Sequence, residues 1–138
     1  MAASILTPIL ALIVWSLVIW LWMYVKRVPA MQKARIQPND ARHPGSLDVL
    51  PSATRQVADN YNHLMEQPTI FYALVFYLYL SAQADHTAIL LAWAYVILRV
   101  LHSLVQCTIN QVTLRFSVFT ISTLVLAVMA ARAVLALV

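Results

Sequence analysis

No residue from Ile5 to Val25 carries a charge, and nearly all are hydrocarbon or aromatic. That run constrains the fold more than any other feature of the chain. As a helix it would be about 30 Å long, the thickness of a bilayer's hydrocarbon core. Trp15, Trp20, Trp22 and Tyr24 crowd toward its Lys26–Arg27 end, as an interfacial aromatic belt does. With no basic stretch before it and no small-residue cleavage site after it, the run is expected to be a retained span and not a signal peptide. The remaining sequence has the same character. Of the 138 residues, 62% are apolar and 10% charged, with a mean hydropathy of +0.78. A soluble domain of this length needs far more polar surface, so the expected class is an all-α integral membrane protein.

Four apolar segments predict four spans in one domain covering residues 1–138: about 5–25, 60–81, 87–107 and 116–137. The stretch 26–58 between the first two holds four of the six prolines and the only glycine, Gly45. It reads as a loop with one short surface helix around Met31 to Ile36. The lone glycine argues against Gly-x-x-x-Gly helix packing. One cysteine, Cys107, excludes an intrachain disulfide and leaves the redox compartment unspecified.

Net charge is +4, and six of the nine cations (Lys26, Arg27, Lys33, Arg35, Arg42, Arg55) lie in that first loop. The connection "SAQADHT" has none. The positive-inside rule therefore predicts a cytoplasmic first loop with both termini external. The clustering is a topology signal, and no nucleic-acid partner is expected.

Span length then locates several polar residues. Crossing the hydrocarbon takes roughly 20 helical residues, and the apolar run Ile70 to Leu80 supplies about half of that. The second helix is therefore expected to extend back through Pro68 and Glu66 to about Tyr61, with Pro68 bending it. Ala88 to Leu98 is similarly short, which draws Arg99 and His102 into the membrane. Helical rise places Glu66 and Arg99 at a common depth, roughly 8 to 13 Å below the cytoplasmic surface, and the two are expected to pair.

Asp59, Asn62, His63 and Glu66 share one helical stripe, and Tyr95, Arg99, His102 and Gln106 share another. A polar pocket open to the cytoplasm is the expected result. Its charges fit a structural ion pair as well as a functional site. His63, Glu66 and His102 lack a convincing fourth donor, so no metal is expected. Arg132 reads as a snorkelling cation near the external end of the last helix. No nucleophilic triad, phosphate loop or nucleic-acid surface is present.

On these residues the chain resembles the MAPEG family, the membrane-associated proteins of eicosanoid and glutathione metabolism. The likeness runs over nearly the whole chain: four helices of this spacing, "QPNDARHPG" in the first loop, "HLMEQP" in the second helix and "RVLHSLVQ" in the third. "MEQPTIFYALVFYLY" is similar to the bacterial branch. The resemblance implies four-helix protomers assembled as a homotrimer, with glutathione bound between subunits near the cytoplasmic face. Glu66, Arg99 and His102 match the family's pattern, and Arg115 falls where catalytic members keep an arginine for the glutathione thiolate. His63 replaces an asparagine, Asp59 an arginine and Gln106 a tyrosine, while Asn62 and Arg55 lie out of register.

Three functions follow as expectations. One is a glutathione-dependent transferase or peroxidase acting on lipophilic electrophiles from the bilayer, with Asn62, His63, Glu66, Arg99, His102 and Gln106 binding glutathione and Arg115 catalytic. The second is a non-catalytic MAPEG-like protein whose pocket takes a lipid headgroup or another small anion. The third is a small transporter using Glu66, His63 and His102 as a proton relay. The expected location is the bacterial inner membrane.

Overall fold

The computed structural model describes residues 4–138. Its five α-helices are α1 (Leu6–Lys33), α2 (Ser52–Leu64), α3 (Gln67–Leu80), α4 (His86–Cys107) and α5 (Val112–Leu135), with a 3-10 turn at Pro38–Asp40 and no strand among the described residues. Helices α1, α4 and α5 are each long and apolar enough to cross a bilayer. At 14 residues α3 is about 21 Å long and crosses only together with α2. The architecture is thus a four-rod antiparallel bundle whose second rod is in two pieces. Helix α1 packs on α2, α3 and α4, while α4 also packs on α2 and α5.

The break in the second rod is sharper than the bend expected from sequence. Pro68 has no N–H to return to the Leu64 carbonyl, and its ring crowds that carbonyl. Helix α2 finishes in tight i→i+3 turns, with Met65 and Glu66 donating to the carbonyls of Asn62 and His63. Glu66 itself leaves helical geometry (φ −91°, ψ −99°), and α3 restarts at Gln67 with Pro68 in its first turn.

The first helix also differs from expectation. It continues through Pro29 to Lys33, well past the aromatic belt, so the short surface helix expected around Met31 to Ile36 is its last turn. Three helices end with a left-handed residue that is not glycine: Arg35 (φ 56°), Ala82 (φ 58°) and Asn110 (φ 46°). In each case the next residue, or Asn110 itself, returns its N–H to a carbonyl five residues back: Ile36 to Met31, Gln83 to Leu78 and Asn110 to Val105.

Leu12, Ile19, Val57, Leu64, Phe71, Val75, Ala92 and Tyr95 form the fully buried core. The Phe71 and Tyr95 rings stack there, 4.5 Å between centroids. Leu17 and Leu21 of α1, Ile97 of α4 and Leu124 and Val128 of α5 point outward, the apolar exterior that lipid requires.

Candidate functional site

Polar contacts gather where α2, α4 and α5 meet, at the end of the bundle that carries the long loop. Arg99 is fully buried there, and its Nη2 lies 2.7 Å from His63 Nδ1. A guanidinium can only donate, so Nδ1 accepts and the ring's proton sits on Nε2. Among the described residues, Nε and Nη1 of Arg99 have no hydrogen-bond partner, and no carboxylate comes within ion-pairing distance. His102 stacks on His63 with centroids 4.6 Å apart and planes 15° from parallel. Phe119 of α5 packs edge-on to His63 and lies 5.6 Å from the Arg99 guanidinium carbon.

The expected Glu66–Arg99 pair is therefore not formed. Glu66 stands at the helix break with its side chain exposed, while Arg99 is sealed among α2, α4 and α5. Arg132, near the far end of α5, is half-exposed, and its Nη2 donates to Asp85 Oδ2 at 2.6 Å. Asp85 also caps α4, accepting from the Ala88 N–H at 2.7 Å.

A cavity of about 180 Å³ is lined by His63, His102, Val112, Arg115, Phe116 and Phe119. Arg115 is half-buried at its rim, held by a 2.7 Å bond from Nη1 to Asn110 Oδ1. Three of the residues expected at a site, His63, His102 and Arg115, thus come together. Arg99 lies behind the histidines and outside the cavity lining. Gln106 is buried and accepts from Asn60 Nδ2 at 2.9 Å, which turns it away from the cavity. Asn62 opens instead onto a separate cavity of about 410 Å³ beneath the first loop, shared with Arg27, Arg42, Arg55 and Asp59.

The model of the MAPEG family matches residues 5–135. The chain belongs to the MAPEG family. No curated protein and no solved structure matches it. Among the described residues of this MAPEG protein, no group of three or more His, Cys, Asp or Glu has the arrangement of a metal site. The two imidazoles lie face to face, whereas ligands to one ion would point their in-plane lone pairs at a common centre.

The inward stripe of α2 is Gln56, Asn60 and His63, continued by Gln67 beyond the break. Gln56 Nε2 donates to the carbonyls of Cys107 and Thr108 at 3.0 and 3.1 Å, closing the end of α4. Gln67 accepts from the Tyr95 hydroxyl at 3.2 Å and donates to Thr123 Oγ1 at 2.9 Å, tying α3 to α4 and α5. Spacings of 4, 3 and 4 residues are as helical as those of the stripe through Asp59, Asn62, His63 and Glu66, and they were available in the sequence.

Proposed function

We propose that this MAPEG protein binds a small organic anion at the His63–His102–Arg115 cavity, with glutathione as the ligand of a transferase or peroxidase acting on lipophilic electrophiles. The observation that carries the reading is a buried guanidinium without a counter-charge. An unpaired charge in low dielectric is costly, and Arg99 keeps two nitrogens free of partners. Its positive field falls on the histidine stack and on the cavity in front of it. An anion seated there would offset that cost.

Glutathione, when bound, supplies a thiol for attack on an electrophilic carbon or peroxide oxygen. The chain's own residues would prepare that step. The Arg115 guanidinium at the rim favours the thiolate by charge and directed donation. The Nε2–H of His63 is a neutral donor, and Phe116 and Phe119 exclude water. Arg27, Arg42 and Arg55 in the adjoining cavity provide cations for carboxylates, although Asp48 pairs with Arg55 at 3.2 Å and Asp59 opposes them.

Size supports an alternative ligand at the same place. A volume of about 180 Å³ is below the roughly 300–1,000 Å³ usual for ligand pockets. It suits a lipid headgroup or another small anion, whereas a tripeptide needs further surface, from the cavity under the loop or from neighbours in a homotrimer. We place the protein in the bacterial inner membrane, with the first loop cytoplasmic. Calorimetry of the detergent-purified protein with glutathione and S-hexylglutathione tests the reading. Saturable binding lost in Arg115→Ala or His102→Ala supports glutathione. Absence of heat with both ligands, alongside saturable binding of glycerol phosphate, selects the non-catalytic alternative.

A further inference from the structure

We infer that Asn110 is a positioning residue that aims Arg115 into the cavity while leaving its charge uncancelled. This inference rests on the reading of Arg115 given above. Asn110 closes the turn between α4 and α5 with φ +46°, and its N–H returns to the Val105 carbonyl at 2.7 Å. Glycine meets that backbone requirement with the least strain, and asparagine is among the side-chain-bearing residues that tolerate it best. The side chain supplies what glycine cannot. Asn110 Oδ1 accepts from Arg115 Nη1 at 2.7 Å, the short distance of a charge-assisted bond. The donor must be the arginine, which fixes the amide with its oxygen toward the guanidinium.

Among the described residues Arg115 makes no other side-chain hydrogen bond, so there Asn110 alone holds the guanidinium against the wall that His63, His102 and Phe119 complete. The contrast with Arg132 shows what a neutral acceptor achieves. Arg132 is bound at a similar distance by the carboxylate of Asp85, which fixes it and neutralises it together. Asn110 fixes Arg115 and leaves a full positive charge facing the cavity.

Two readouts on the detergent-purified full chain test this. The first is the rate at which phenylglyoxal modifies Arg115, followed by mass spectrometry, which needs no ligand. Asn110→Gly preserves the turn and removes the acceptor; the rate should rise severalfold with the thermal midpoint unchanged or higher. Asn110→Asp keeps an acceptor and should stay as slow as wild type. The second readout is the ultraviolet titration of bound glutathione thiol. Its pKa should rise by about half a unit in Asn110→Gly, from lost aim, and in Asn110→Asp, from cancelled charge. A modification rate in Asn110→Gly equal to wild type overturns the inference. If wild type binds no glutathione, the functional reading fails separately, and the modification rate still decides whether Asn110 holds Arg115.

Discussion

Among the described residues, His63 is the only side chain that accepts a hydrogen bond from Arg99. Removing it leaves a sealed guanidinium with nothing but a 3.5 Å approach to the His63 backbone carbonyl. His63→Ala should therefore destabilise the protein by about 1.5–3 kcal/mol, the usual range for a hydrogen bond to a charged group. His63→Asn returns an acceptor oxygen to the same face of α2 and should recover much of that loss. Thermal unfolding in detergent measures both, and equal losses in the two variants would show that packing on His102 matters more than the bond. At this scale the sequence was readable only in part. Arg99, His102 and His63 were found because charged and imidazole groups stand out in hydrocarbon. Asn60 and Gln56 were passed over because neutral amides on α2 look like surface residues until the carbonyls they satisfy on α4 are known.

Individual bonds of this kind decide how the helices end. The carbonyls of Cys107 and Thr108 lie where α4 has run out of its own N–H donors, and Gln56 of α2 reaches across to both. Gln56→Ala should cost about 1–3 kcal/mol through those orphaned acceptors, whereas a surface glutamine such as Gln111 should be silent in the same unfolding assay. Ala82 presents the opposite case. A left-handed alanine is penalised by about 1–2 kcal/mol, and glycine gives back about 0.4–1 kcal/mol through the looser unfolded chain. Ala82→Gly should therefore raise stability by up to about 1 kcal/mol, and a lowered thermal midpoint would contradict the strain. The existence of α1, α4 and α5 was legible from hydropathy, since each contains a long apolar run. The extension of α1 through Lys26 and Arg27 to Lys33 was not, because charged residues there read as the start of a loop. The break after Leu64 was only half legible. Pro68 announces a bend, but the i→i+3 turns that end α2 depend on how α2 and α3 each settle against α4.

Across the whole molecule, charge and hydropathy determine which way the bundle faces. With the first loop cytoplasmic, a cysteine placed at exposed Ala82 in a Cys107→Ser background should react with an impermeant maleimide in intact cells, and one at Ser46 should react only after permeabilisation. Labelling of Ser46→Cys in intact cells would reverse the orientation. Membership of MAPEG and the all-helical bundle were both legible from residues 5–135 taken together. The register of α2 was not, because two stripes of helical spacing run along the same helix. The packing partners on α4 chose the uncharged one and left Asp59, Asn62 and Glu66 outside.

The two-piece second rod has a consequence for biogenesis. Helix α3, about 21 Å long, is too short to be handed to lipid by itself, and α2 carries Arg55, Asp59 and Asn60, which resist partitioning. The chain should therefore enter the bilayer with α1 first and commit its middle only when α4 arrives to receive Gln56, Asn60 and His63. A nascent chain halted before His86 should have α2 and α3 open to protease, and one released after Cys107 should protect them. The contacts that Gln56, Asn60 and His63 make with α4 would then act as the insertion checkpoint, so that a chain lacking them stays unfinished during synthesis, before its function is ever tested.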